Sequence, residues 1–131
     1  MDDFEYLDHC CGKWEALSVH RRTRQQQCVV DVVTTIAAIE GDGLHGLWSD
    51  FGSQMDRIIE SFRLAGVHDV AALLTDSAFC GDVIAQGLDD EGHWKFSPEQ
   101  DAVLSQLESK IYARGPDARE ALLQFLPRRR G

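Results

Sequence analysis

Apolar residues recur along this chain in steps of three and four, the spacing of helices that bury one face. Phe4, Leu7, Cys11, Trp14 and Leu17 form the first stripe, with Asp2 or Asp3 placed to cap it. Cys28, Val29, Val32, Val33, Ile36 and Ile39 form the second. Its β-branched content also suits a strand, but Asp31 and Thr34–Thr35 do not alternate with it, so a helix is the reading. Gly41-Asp42-Gly43 is expected to end that helix, and a short amphipathic piece with Leu44, Leu47, Trp48 and Phe51 follows.

Ser53-Gln54-Met55-Asp56 resembles a capping box with Asp in place of Glu or Gln. It would open a helix buried through Met55, Ile58, Ile59 and Phe62 and closed by a C′ glycine at Gly66. Val70, Leu73 and Leu74 mark the next helix, entered near His68-Asp69, and the short connection predicts a helical hairpin. Residues 81–96 are the least regular stretch. Ser97-Pro98-Glu99-Gln100 is the clearest helix start, with a serine cap, a proline at the first helical position and a glutamine three residues after the cap. Val103, Leu104, Leu107 and Ile111 are its expected buried stripe, and Gly115-Pro116 its expected stop. A last helix near Asp117–Leu126 would bury Ala118, Leu122 and Phe125 and end at Pro127. No repeat or compositional break divides the chain. The expectation is one all-α domain over residues 1–131, a bundle of about five to seven helices, with residues 127–131 as a basic, flexible tail.

Leu, Ile, Val and Phe supply 34 of the 131 residues, above the roughly 20% below which charged chains stay disordered. The formal charge is −9, and its placement is uneven. Residues 25–127 hold 17 acids against 6 bases, a net −11, while Arg128-Arg129-Arg130 forms a +3 tail. Direct nucleic-acid binding needs a cationic surface to displace phosphate counterions, so the acidity argues against it. No apolar run approaches the ~20 residues of a bilayer span, and the acidic start Met1-Asp2-Asp3-Phe4-Glu5 is unlike a secretory signal. No membrane association and a cytoplasmic location are expected. Cys10, Cys11, Cys28 and Cys80 form no C-x-x-C pair and are expected as reduced, buried thiols.

No phosphate-binding glycine loop, zinc-protease helix or nucleophile elbow occurs in the chain. His9 beside Cys10 and Cys11 offers soft ligands, but adjacent helical positions point in different directions. Asp89, Asp90, Glu91 and His93 are the best candidates for a metal or acid–base site, although they lack the alternating ligand spacing of a calcium loop. A solvated acidic loop is the simpler reading. No cofactor is expected.

The run Glu40-Gly41-Asp42-Gly43-Leu44-His45-Gly46-Leu47-Trp48-Ser49-Asp50-Phe51-Gly52 resembles the signature segment of the DNA-mimic-protein-19 domain family. Met55 to Phe62, Leu64-Ala65-Gly66-Val67 and Val70-Ala71-Ala72-Leu73-Leu74 resemble its second half, and Leu104 to Tyr112 its closing helix. Gly43 matches the second glycine of the family's turn, and Leu44 stands where Phe is usual. Leu47 and Trp48 match its paired aromatics, while Asp50 replaces an Asn and Gly46 a Gln. Gly41, Gly43, Leu44, Leu47, Trp48 and Asp50 therefore form a signature of turn and apolar positions, with no catalytic residue among them. The resemblance spans about residues 22–126 and implies a compact helical fold. It also implies an acidic surface that imitates duplex phosphates and engages a DNA-binding protein.

The functional expectation is a non-enzymatic interaction domain, monomeric or homodimeric, meeting a partner protein with a basic surface. Asp89, Asp90 and Glu91 are candidates for its acidic face. The alternatives are an immunity- or antitoxin-like inhibitor of one cognate toxin, and a metal-dependent hydrolase built on Asp89, Asp90, Glu91 and His93.

Overall fold

A computed structural model describes residues 1–129; Arg130 and Gly131, the end of the expected tail, lie outside the described residues. Six helices follow one another: α1 (Asp3–Glu15), α2 (Arg24–Phe51), α3 (Met55–Leu64), α4 (His68–Asp76), α5 (Phe79–Ala85) and α6 (Pro98–Ala121). Short 3-10 turns at Val19–Arg21, Gly52–Gln54 and Leu122–Phe125 join or extend them. The all-α class expected from the sequence is what the structure has. Of the five to seven helices expected, α1, α2, α3 and α6 are four of ten residues or more, and α4 and α5 are short.

α2 is the central element, packing against α1, α3, α5 and α6. Cys28, Val29, Val32, Ile36 and Ile39 all lie in the core, with Val33 packed against it. The β-branched residues thus follow the helical period, since burial against four neighbours outweighs their modest intrinsic helix preference. Phe62, Leu44, Leu47, Leu74 and Leu122 are also fully buried, each contributing about 1.5–3 kcal/mol relative to exposure.

Two expected helix ends are absent. α2 does not stop at Gly41-Asp42-Gly43 but turns a corner there, with only Gly43 leaving helical geometry at φ 74° and ψ 179°. The amphipathic piece from Leu44 to Phe51 is the second half of the same element. α6 likewise runs through Gly115-Pro116 to Ala121. Proline removes one hydrogen bond of the helix, but Ala118 and Leu122 beyond it are fully buried, and that packing holds the chain helical. Gly115 is buried against Ile36.

Smaller corrections have equally local causes. Ser53 does not cap α3: it lies in the 3-10 turn, and Gln54 is the N-cap residue, with no side-chain bond. Val103 points to solvent while Leu104, Leu107 and Ile111 are buried. Phe4 is exposed at the edge of its stripe, where the Arg119 guanidinium covers the ring at 5.1 Å. The stretch 81–96 is helical at its start because α5 extends to Ala85.

Other signals took the expected form. Asp2 accepts from the Glu5 N–H at 2.8 Å at the head of α1. Ser97 and Gln100 make both arms of their capping box, at 3.1 and 2.9 Å. Gly66, at φ 85°, closes α3 in a Schellman motif, with Val67 N–H donating to Phe62 O at 2.8 Å and Gly66 N–H to Arg63 O at 2.9 Å. The four cysteines are buried and unpaired. At the C-terminus Arg129 donates to the Met1 carbonyl at 2.6 Å, pairs with Asp3 and stacks over Tyr6 at 5.1 Å. As far as Arg129, the basic tail therefore rests on α1.

Candidate functional site

The signature segment is an architectural corner. Gly43 takes a backbone conformation open essentially to glycine alone, and its turn frees the Leu44 N–H from the helix. Glu108 of α6 accepts that N–H at 2.8 Å. A Cβ on Gly43 would meet the same Glu108 oxygen at 2.8 Å. Leu44 and Leu47 are buried beyond the corner. Trp48 is half-buried and donates from its indole to Ser77 Oγ at 2.8 Å, while Ser77 Oγ donates to Leu74 O at 2.6 Å. Gly41 and Asp50 are exposed, and Gly41 has open space around it. Of the six signature residues, Gly43, Leu44, Leu47 and Trp48 therefore fix where α2 bends and what it packs on.

A buried polar network that the sequence reading did not single out lies at the other end of α2. Asp31, 3% exposed, accepts four bonds: from Gln27 Nε2 at 2.8 Å, Arg57 Nη2 at 2.9 Å, Arg57 Nε at 3.1 Å and Ser61 Oγ at 2.7 Å. Arg24 Nη1 donates to Ser61 Oγ at 3.0 Å. Arg22 donates to Gln27 Oε1 at 3.2 Å and to the carbonyls of Trp14, Glu15 and Leu17 at 2.8–3.1 Å, satisfying the end of α1. A cleft of about 260 Å³ opens over this network beside Arg57 and Phe51. The only sequence signal for it was an acid amid the apolar stripe of α2.

Asp89, Asp90, Glu91 and His93 lie in the loop between α5 and α6, where the structure uses them unequally. Asp89 Oδ1 accepts the N–H groups of Glu91 and His93, both at 2.9 Å, and Asp89 N–H donates to His93 O at 2.8 Å. The N–H groups of His93, first, and Glu91 hold the Asp89 carboxyl below its ordinary value. Asp89 thus builds a tight turn closed by Gly92 at φ 82°, and an isolated bridge pairs Leu88 with Trp94. Asp90 and Glu91 face solvent, with Glu91 Oε2 3.8 Å from His93 Nδ1. Among the described residues, no three His, Cys, Asp or Glu side chains converge as a metal-holding group.

The acids are paired unevenly along the chain, and every acid–arginine pair among the described residues lies outside residues 76–108. Asp31, Glu60, Asp69, Asp117, Asp8 and Asp3 pair with Arg57, Arg63, Arg114, Arg119 and Arg129. Across elements these pairs tie α2 to α3, α4 to α6, and α1 to the end of α6 and to Arg129. From residue 76 to 108 stand eight acids and one base, Lys95. Among the described residues none of those eight pairs with Lys or Arg. Much of this run meets the second half of α2, because Glu108 reaches Leu44, Gly81 of α5 faces the Trp48 ring, and one cleft joins His45 to residues 92–104. Glu40, Asp42 and Asp50 on α2 are exposed there as well.

No helix among the described residues is long and apolar enough to cross a membrane. No family model, curated protein or solved structure matches the chain.

Proposed function

We propose that the protein is a non-enzymatic interaction domain whose acidic end engages a basic surface on a partner protein. The observation that carries this reading is the run from residue 76 to 108, eight acids against one base, of which none pairs with Lys or Arg among the described residues, whereas the six acids that do pair with arginine all lie outside it. Unpaired like charges repel one another and weaken a fold slightly, and a cationic partner would relieve that repulsion. Such a surface also accelerates encounter and excludes acidic partners.

A DNA-binding protein is the narrower partner class we propose, in keeping with the resemblance of residues 40–52 to a DNA-mimic signature. Exposed carboxylates on a rigid helical frame would occupy the basic face that otherwise meets phosphates. Capture of a partner from extract at low and at moderate salt tests the reading, with duplex DNA as competitor. Capture should weaken steeply with salt, be displaced by duplex DNA, and be lost when Asp82, Asp90, Glu91, Glu99 and Asp101 are changed to their amides. Equal capture by that amide variant overturns the acidic-face reading; salt-sensitive capture that DNA does not displace overturns the narrower one.

A further inference from the structure

At the acidic end a cleft of about 410 Å³ is lined by His45, His93, Trp94, Phe96, Asp101 and Leu104. We propose that this cleft is a recognition slot for an arginine side chain of the partner, an inference that rests on the acidic-interaction reading and specifies its central contact. Its walls combine aromatic rings with a carboxylate, the pairing that suits a guanidinium. That group is planar and weakly hydrated, stacks on indole faces and forks onto carboxylates, where an ammonium acts as a hydrated point charge.

The aromatic wall is held in place before any partner arrives. Asp89 ties the turn through two accepted bonds, and the Leu88–Trp94 bridge fixes the strand-like return. Phe96 meets Phe79 edge-on at 6.3 Å and 88°. The Ser97 capping box then anchors the far end of the loop to α6. Little ordering cost remains for the loop on binding. Trp94 itself is only half-buried, and its indole N–H makes no hydrogen bond among the described residues, whereas that of Trp48 is committed to Ser77. Asp101 is exposed and has no cationic partner among the described residues. The acids flanking the slot exclude an acidic occupant and leave a cation as the complementary one.

The test is a titration of the full chain, with nitrogen-15 label, against an arginine-rich peptide and a lysine-rich peptide of equal length. The Trp94 indole N–H resonance, assigned by its absence in Trp94→Phe, should shift with the arginine peptide, which should bind about fivefold more tightly than the lysine peptide. Trp94→Leu should lose the arginine preference yet keep weak, salt-sensitive binding, and Asp101→Asn should weaken the arginine peptide more than the lysine one. Trp94→Phe keeps an aromatic face and should retain part of the preference, which separates stacking from simple damage to the loop. Binding of both peptides with an unmoved Trp94 resonance and an unaffected Trp94→Leu overturns the slot and leaves the acidic-interaction reading standing. Failure of the unaltered chain to bind either peptide at low salt overturns both.

Discussion

Glu108 Oε1 accepts the Leu44 N–H at 2.8 Å, so a carboxylate of α6 caps the second half of α2 across the corner at Gly43. The corner needs both partners. Gly43→Ala puts a Cβ where the backbone tolerates only glycine and within 2.8 Å of Glu108, at an expected cost of about 1–3 kcal/mol. Glu108→Ala leaves the Leu44 N–H without its acceptor and should cost roughly 1–3 kcal/mol. The two losses should not add, since both act on one junction; urea unfolding of the single and double variants measures this. Additive losses would show that the corner and its cap are independent.

The contact of buried Asp31 with the partly exposed Arg57 is expected to be the most sensitive polar contact. Asp31 has four donors and almost no exposure, so removing Arg57 leaves a charge without its counter-ion in the interior. Arg57→Ala should destabilise the fold by about 1–3 kcal/mol, since Asp31 keeps its Gln27 and Ser61 donors. Replacing Asp31 and Arg57 together by Leu and Met should cost less, because the desolvation of the Asp31 carboxylate is also removed. Chemical denaturation of the single and double variants distinguishes the outcomes. Equal losses in both would mean that packing, not charge, dominates the site.

These two junctions show what the sequence could and could not reveal. Helix identity, the Ser97 and Gly66 boundaries and most of the core were legible because each depends on neighbours three or four residues away. The corner at Gly43 was read as a helix end, since the acceptor that makes it a corner lies 64 residues downstream on α6. Pro116 was read as a stop because the burial of Ala118 and Leu122 that overrides it comes from other elements. Thr23 and Gln26 form a full capping box at the head of α2, a boundary that the local Thr-x-x-Gln spacing itself encodes. The acidic excess was legible as a number. Which acids are neutralised depends on which arginines fold back onto them, and that is set by the tertiary fold.

Acid should weaken the fold through identifiable carboxylates. Burial opposes ionisation of Asp69, but its bonds from Arg114 and the Val70 N–H outweigh that effect and hold it below 3.8. Backbone N–H groups hold Asp89 and Asp2 below the same value, from His93 and from Glu5 respectively. A carboxyl depressed on folding contributes stability above its unfolded pKa and loses it as pH falls through the folded one. The thermal midpoint should therefore fall as pH drops below about 4, and Asp69→Asn should flatten that fall. An unchanged acid profile in Asp69→Asn would remove the Arg114 contact from the explanation.

The thiols make the opposite prediction at high pH. Burial pushes the thiols of Cys11 and Cys80 up to about 12, and that of Cys28 up to about 11, from an ordinary 9.0. Glu15 adds to the rise at Cys11 and Glu108 at Cys80. Only the thiolate reacts readily, so all three should resist a disulfide reagent at neutral pH in the folded protein and react once it is unfolded. An acidic group raised on folding favours the native state while it stays protonated relative to the unfolded chain. Above 9.0 the unfolded thiols ionise first, and stability should decline as pH climbs toward the folded values. Reagent kinetics with and without denaturant, repeated on Cys28→Ala and Cys80→Ala, assign the protection site by site. Rapid labelling of Cys28 or Cys80 in the native protein would show that the α2–α3 or α2–α5 contacts open far more readily than this packing allows.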